Sequence, residues 1–303
     1  MVMRILVTDG MDKAAIARLR DLGHEVIEQF YEPDALGAAL RDVDVVVVRS
    51  KTKVRKEHID AAKGGSLKCI IRGGIGIDNI DADYAKANGI AVRNTPDAST
   101  ESVAELALAH ILACARYVSI SGSTMRNGQW EKKSYGKGIE LMGKRLGIYG
   151  YGRIGKRLGV MARGIGMNVL AYRRSSTPES IDDAGTIYVS EEKLIRTCDF
   201  ISLHSPASPN GPIITAEKIA QMKDGVVIIN TSRGANVDEK ALLDALNSGK
   251  VRAAGLDVWA DEPTHNMELL SHPNVSCTPH IGAATVEAQK RIGAEIVNII
   301  SSL

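Results

Sequence analysis

"GIYGYGRIG", residues 147–155, reads as a strand that runs into a glycine turn and out into a helix. Gly150, Gly152 and Gly155 fit the spacing G-x-G-x-x-G, with the β-prone "RLGIY" before them and the helical "KRLGVMARGIG" after. In that setting each glycine has its own task. The first makes a tight turn, the second admits a pyrophosphate close to the backbone, and the third lets helix and strand pack closely. The helix N-terminus then favours the anion. Alone the spacing is weak, because a helix packed on a sheet also uses glycines; the strand–turn–helix context makes it a dinucleotide site.

A site of this kind usually places an acidic residue about 20 positions further on, to hold a ribose hydroxyl. The stretch "LAYRRSS", residues 170–176, holds Arg173, Arg174, Ser175 and Ser176 there instead. An acidic side chain at this place repels a 2′-phosphate, whereas arginine pairs with one through charge-assisted bonds. The serines add donors. A solvated charged loop is the plainer alternative. With the glycine turn upstream, the pattern favours NADP(H), with NAD(H) as the second option.

The rest of the chain suits a soluble enzyme. Its 303 residues allow two domains, each able to bury a core. A net charge of +2 and the lack of a basic stripe with interleaved aromatics give no sign of nucleic acid or an anionic membrane as partner. The longest β-branched run, "VDVVVV", is strand-sized and far short of a bilayer span. The start "MVMRILVTDG" lacks a signal-peptide layout, so a cytoplasmic location is expected. Cys69, Cys114, Cys198 and Cys277 form no CxxC, and no metal site or disulfide framework is expected.

Apolar β runs alternate with helical patterns almost from end to end, which predicts parallel sheets with helices on both faces. The first block has strands at "RILVTD", "HEVIE", "DVVVVRS", "KCIIRG" and "IAVRN", with helices between them. Residues 99–118 predict one long helix that Ser99 or Thr100 can cap. A second block follows through "RLGIYGYG", "MNVLAY", "DFISLH", "GVVIIN" and "VRAAGLDVW", and a last helix covers roughly 283–301. The reading is two α/β domains with hinges near 97–100 and 280–285.

Three segments put reactive groups at strand ends, where open parallel sheets bind ligands. "IINTSRGANVDE" carries Arg233, "GLDVWADEPTH" carries Asp257 and Glu262, and "VSCTPHIGAAT" carries His280 between Pro279 and Gly282. Reversible hydride transfer to a 2-oxo acid needs a proton donor that works near neutral pH, a role for histidine. A carboxylate beside an imidazole orients it and favours its protonated form, and Glu262 suits that place. Arg233 can grip a substrate carboxylate with its fork of donors. Each residue alone has a dull reading: a loop histidine, a surface ion pair, a turn residue. Together at strand ends they form a catalytic set.

These segments, "GYGRIGKR", "NTSRGANVDEKALLDAL", "AAGLDVWADEP" and "TPHIGAATVEAQ", resemble the D-isomer-specific 2-hydroxyacid dehydrogenase family. "VRSKTKV", "IRGGIGIDNID", "NTPDASTESVAELALAHILA" and "NGQWEKK" point within it to the D-3-phosphoglycerate dehydrogenase branch, and the match covers almost the entire chain. The resemblance implies two doubly wound domains. A flavodoxin-like substrate domain of residues 1–98 plus 285–303 would carry an inserted Rossmann cofactor domain of residues 99–284. Catalytic roles fall on Arg233, Glu262 and His280. Cofactor contacts fall on Ile75, Arg153, Ile154, Ser205, Thr231, Ser232, Asp257 and Gly282, with Asp257 near the nicotinamide amide. Backbone at Gly73 and Gly74 would face the substrate carboxylate. A homodimer joined through residues 99–143 is the usual assembly.

Three departures from the family pattern stand out. Arg173 takes the usual acidic position, as in some glyoxylate and hydroxypyruvate reductases. The loop "SPASPNGPII" is about one residue short of the common pattern, and Ile75 replaces a small hydroxyl residue. The chain stops at Leu303, so the regulatory domain of longer phosphoglycerate dehydrogenases, and feedback by serine, are not expected. Arg49, Ser50, Lys51 and Lys53 follow one strand and Arg72 another. Cations gathered at strand ends suit a substrate with a second anionic group. A 3-phosphoglycerate-like substrate therefore stands slightly ahead of hydroxypyruvate or glyoxylate. A dinucleotide-sensing binding protein of corepressor type is the reading from another class, and a nucleoside hydrolase with bound NAD is a third; the retained Arg, Glu and His set favours the enzyme.

Overall fold

The computed structural model describes residues 2–175, 177–182 and 185–303, so Ser176 lies outside the described residues. The chain divides into two compact units, one of Met1–Ser99 with Ala283–Leu303 and one of Thr100–Gly282.

In the first unit β1 (Arg4–Val7), α1 (Lys13–Asp21), β2 (Glu25–Glu28) and α2 (Pro33–Arg41) open the alternation. Next come β3 (Val45–Val48), α3 (Lys56–Ala62), β4 (Cys69–Arg72), α4 (Ala82–Ala87) and β5 (Ala91–Asn94). The strands form a parallel sheet in the order β2-β1-β3-β4-β5, a flavodoxin-like arrangement. β3 shows why its sequence is apolar throughout. Val46 and Val48 pack into one cluster with Leu36, Leu40 and Ile59, while Val45 and Val47 enter the opposite one with Ile16 and Leu19. Each fully buried valine contributes about 1.5–3 kcal/mol by leaving water, and helices on both faces leave no place for a polar alternate.

The second unit starts with α5 (Thr100–Arg116) and α6 (Val118–Arg126). Its sheet then builds through β6 (Arg145–Tyr149), α7 (Arg153–Gly164), β7 (Asn168–Tyr172), β8 (Ile187–Tyr188), α8 (Glu191–Thr197) and β9 (Phe200–Leu203). It continues through α9 (Ala216–Gln221), β10 (Val226–Asn230), α10 (Glu239–Ser248), β11 (Val251–Leu256), α11 (Met267–Ser271) and β12 (Val275–Cys277). The order is β12-β11-β10-β9-β6-β7-β8, with every ladder parallel. β6 lies between β7 and β9, so the winding direction reverses there and opens a crevice at the strand ends. The last helix, α12 (Val286–Ser301), belongs to the first unit. Its Gly293 lets α12 approach α1 so closely that an added Cβ would lie 2.7 Å from Ala15 Cβ. Among the described residues no single helix is long and apolar enough to cross a membrane.

The long helix expected over 99–118 is present as α5, which ends two residues early at Arg116. Tyr117 takes a left-handed φ of 57°, and α6 leaves at 68° to α5. Arg252 holds the corner: it donates to the Tyr117 hydroxyl at 2.8 Å and lies 5.4 Å from the ring centre. The short elements β8, α9 and α11 were not legible from periodicity, being too brief to show one.

His204, half-buried just beyond β9, bears on stability. Its Nε2 meets Ser202 Oγ at 2.8 Å, its Nδ1 is shut off from solvent without a protein partner, and burial pushes its pKa down to about 4. The unfolded chain titrates this ring near 6.5. As pH falls from there towards 4, the unfolded state takes up a proton that the folded state refuses, and stability falls across that window. The full effect is on the order of 3 kcal/mol. Denaturant unfolding at about pH 7.5 and 4.5 should show a larger loss for the unmodified protein than for His204→Asn. Equal losses would remove His204 as a source of acid sensitivity.

Candidate active site

The crevice after β6 is built by three glycines that differ in what surrounds them. Gly150 has φ +94°, and an added Cβ would fall 2.4 Å from Ser205 Oγ and 2.7 Å from the His204 carbonyl carbon. Around Gly152 nothing lies within 4 Å, so the backbone is open to a ligand. At Gly155 a Cβ would meet Gly150 O at 2.6 Å, where α7 packs on its own turn. Gly152 is also the N-cap of α7 and offers no side chain to the first-turn amides next to Arg153 and Ile154. Uncapped N–H groups at a helix start attract an anion.

A cleft of about 750 Å³ opens here, with Gly150, Gly152, Tyr172, Arg173, Arg174 and Ser205 in its wall. Arg173, Arg174 and Ser175 are exposed, and the Arg173 guanidinium lies 5.8 Å from the Tyr188 ring centre. Behind them Tyr149 donates to Glu191 Oε1 at 3.1 Å, and Lys218 pairs with the same carboxylate. Thr231, at the end of β10, is buried with its hydroxyl lacking any protein partner. An orphaned hydroxyl and a cradle that a Cβ would fill fit a bound dinucleotide.

Three neighbouring strand ends carry the reactive groups. After β10, Asn230 Oδ1 accepts from Ser232 N at 3.1 Å and from Ser232 Oγ at 2.8 Å, while its amide donates to Arg233 O at 2.8 Å. This tethers the turn that bears Arg233, whose Nη1 donates to Ser232 O at 2.7 Å. Gly234 lies so close to the next loop that an added Cβ would be 1.9 Å from the Trp259 carbonyl. That loop carries Glu262, and Glu239 holds it by accepting from Ala260 N at 2.8 Å and from Asn266 Nδ2 at 2.7 Å.

Glu262 Oε2 meets His280 Nδ1 at 2.6 Å, and both side chains are a little over one third exposed. Burial pushes the Glu262 carboxyl up, but the His280 hydrogen bond and charge, the Trp259 N–H and Arg233 outweigh it and hold it below its ordinary value. Glu262 is therefore an anion at neutral pH. His280 itself has φ 55°, a left-handed conformation that costs a non-glycine residue on the order of 1–3 kcal/mol and collects at functional sites. Asp257 holds the loop in this shape. Its Oδ1 accepts from Thr278 Oγ1 at 2.6 Å and Ile281 N at 2.8 Å, and its Oδ2 from Gly282 N at 2.9 Å. A cavity of about 470 Å³ flanks the pair, lined by Trp259, Glu262, Pro263, Leu270, Cys277 and His280 among others.

The first unit holds the remaining candidates. Arg49, Ser50 and Lys53 lie in the loop after β3. Arg72, at the end of β4, donates to Ser50 Oγ at 3.2 Å and to Gly73 O at 3.3 Å. Gly74 has φ +147°, and the Arg72 guanidinium occupies the place a Cβ would take, 1.3 Å from it. Lys51 Nζ sits 3.5 Å from the Phe30 ring centre. Ile75 is half-buried and its carbonyl accepts from Asn94 Nδ2 at 2.6 Å. Sequence reasoning missed the residues that fix this loop. Asp9 accepts from Arg49 N at 2.7 Å and Thr52 Oγ1 at 2.6 Å, and the Asn79 amide donates to Arg49 O and Thr52 O at 2.7 Å each. Polar residues at strand ends were the available signal. His110 and Glu239 were missed too, lying on helices that read as core and surface.

A family model described as D-isomer specific 2-hydroxyacid dehydrogenase, NAD binding domain, matches residues 108–282. A hydroxypyruvate reductase of Thermotoga maritima is 47% identical over 98% of this chain and 97% of its own length. A D-3-phosphoglycerate dehydrogenase of Methanocaldococcus jannaschii is 42% identical over 100% of this chain but only 57% of its own length. Among solved structures, a glyoxylate reductase of Paecilomyes thermophila superposes with TM-score 0.88 at 34% identity, covering 99% of this chain and 95% of that one. The glycine cradle, the parallel sheets and likeness over nearly the full length agree, and the chain belongs to the D-isomer specific 2-hydroxyacid dehydrogenase family, oxidoreductases that act on CH–OH groups with a nicotinamide cofactor.

Proposed function

We propose that this chain reduces small 2-oxo acids to D-2-hydroxy acids, with NADPH as the preferred cofactor and hydroxypyruvate as the preferred substrate. The observation that carries this is the 2.6 Å contact between Glu262 and His280, on a loop tethered next to the turn of Arg233. With Nδ1 taken by Glu262, Nε2 is the nitrogen left to give a proton to the substrate carbonyl oxygen. Glu262 stays charged and stabilises the imidazolium, orienting the ring. Arg233 brings a fixed positive charge whose planar fork suits a carboxylate. A bound nicotinamide cofactor supplies the hydride. Gly150 and Gly152 leave room for its pyrophosphate, the amides of α7 face that anion, and the Thr231 hydroxyl offers an unused hydrogen bond.

Arg173 and Arg174 in the wall of the cleft support binding of a 2′-phosphate. For the substrate, the basic loop of the first unit carries less weight than its sequence implies, since Lys51 is engaged by Phe30 and Arg72 by Ser50 and Gly73. This moves hydroxypyruvate ahead of a phosphorylated analogue. Arg49 and Lys53 keep 3-phosphohydroxypyruvate as the second reading. A homodimer through residues 99–143 is also proposed. α6 buries none of its residues, and Leu112, Val118, Met125, Trp130 and Met142 are exposed apolar side chains in that segment.

Three outcomes test the reading. His280→Gln should lower turnover by about 10²- to 10⁴-fold, the usual scale of general acid–base catalysis, with NADPH affinity nearly intact. Near-normal turnover of this variant at neutral pH would mean that another group donates the proton. NADPH should be favoured about 10- to 100-fold over NADH in kcat/KM, as one charge-assisted pair of roughly 1.5–3 kcal/mol allows. Arg173→Asp should shift that ratio towards NADH, and an unmodified protein that works as well with NADH refutes the phosphate site. Finally, hydroxypyruvate should be reduced at least as efficiently as 3-phosphohydroxypyruvate, with little effect of salt. A strong advantage of the phosphorylated acid that added salt erodes would restore the basic loop as its binding site.

A further inference from the structure

His110 lies on α5, an apolar helix, and is only 3% exposed. Gly255 on β11 makes room for it, since a Cβ there would come within 2.6 Å of His110 Cβ. Both ring nitrogens are engaged: Nδ1 with Ser276 Oγ at 2.9 Å and Nε2 with Thr278 Oγ1 at 3.0 Å. Ser276 Oγ meets Ser119 Oγ at 3.0 Å, and Thr278 Oγ1 meets Asp257 Oδ1 at 2.6 Å. Burial lowers the pKa of the imidazole against the opposing pull of the Asp257 charge, so the ring is neutral at pH 7.

One end of this chain sets the direction of every bond in it. The Asp257 carboxylate can only accept, so the Thr278 hydroxyl must donate to it. Thr278 Oγ1 then accepts from His110, which puts the single ring proton on Nε2. Nδ1 is left as an acceptor, so Ser276 donates to it, and Ser119 donates to Ser276. The same carboxylate grips the amides of Ile281 and Gly282, the two residues that follow His280.

We propose that His110 is a positioning residue for the His280 loop: its Nε2–H aims the Thr278 hydroxyl at Asp257, which holds His280 in its left-handed conformation. This rests on His280 being the proton donor. Removing the donor at 110 leaves the Thr278 hydroxyl free to turn away, and Asp257 loses one of three bonds while staying buried. The loop then relaxes towards ordinary backbone angles, and the His280 ring shifts relative to the reacting carbonyl.

The experiment has two arms. In protein with ¹⁵N-labelled histidines, the resonances lost in His110→Gln identify His110. They should report the neutral Nε2–H tautomer at about pH 8. An Nδ1–H tautomer or a protonated ring overturns the hydrogen-bond direction whether or not the protein reduces any 2-oxo acid. In the kinetic arm, His110→Leu and Thr278→Val should each lower kcat about 10- to 100-fold, the scale of a small misplacement of a reacting group, with KM for NADPH nearly unchanged. His110→Gln keeps an N–H donor and Thr278→Ser keeps the hydroxyl, so both should restore most of kcat. If His110→Leu does not fold, the Thr278 pair decides, because that side chain is only partly buried. Wild-type kcat in the Thr278→Val protein, or equal loss in Thr278→Val and Thr278→Ser, overturns the proposal. Retained turnover in His280→Gln would instead defeat the reading on which it rests, with the tautomer measurement still standing.

Discussion

The buried carboxylate of Asp257 is the constraint around which the loop after β12, with His280 in it, is arranged. At 1% exposure it would be prohibitively costly if unpaired, and a hydroxyl and two backbone amides donate to it. Those donors come from the loop after β12, so satisfying the charge and shaping that loop are one event. The unusual φ of His280 persists because the amides on its C-terminal side are already committed. A strained residue supported this way is rigid at no further cost during a reaction, which suits the role of proton donor proposed for it.

The other loops are tied down in the same way, by hydrogen bonds among polar groups at the strand ends. Asn230, Ser232 and Asn236 bind one another and the Ser205 carbonyl, which joins the end of β10 to the end of β9. Glu239 bridges the start of α10 to the loop of Glu262. Gly234 brings the Arg233 turn against Trp259 with backbone touching backbone. Three loops from three strands thus share their supports, and a change in one is felt by the others. In the first unit, Asp9 and Asn79 do the same for the loop after β3.

Charge is distributed to match. The unit that carries the glycine cradle has cations at Arg173, Arg174 and Lys218 along its cleft, one of them neutralised by Glu191. The amides of α7 add a fixed partial positive charge close by. Such a surface is suited to the phosphates of a dinucleotide, whereas the Arg233, Glu262 and His280 group mixes both signs, in keeping with the proton transfer proposed for it.

The sequence by itself determined the parts whose signal is local and repeated. Apolar runs of strand length alternating with amphipathic helices specify parallel sheets covered on both faces, and β3 bears this out residue by residue. The glycine spacing is legible because Gly150 and Gly155 answer separate steric demands and Gly152 leaves open space, all within six residues. Arg233, Glu262 and His280 stand out in the sequence because strand ends are where such sheets place ligands, and the structure brings Glu262 and His280 into contact. What only the tertiary structure decided are relations between residues far apart in the chain. His110 reads as one more core residue on an apolar helix until Ser276 and Thr278, more than 160 positions away, are seen at its two nitrogens. Tyr117 breaks a helix that its propensities would continue, because Arg252 binds its ring and hydroxyl. Lys51 and Arg72 read in the sequence as members of a basic cluster at strand ends and are engaged by Phe30 and Ser50 in space. Periodicity and propensity act through neighbours in the chain, whereas a hydrogen-bond partner or a ring beneath a cation is supplied by the fold, and no local pattern encodes it.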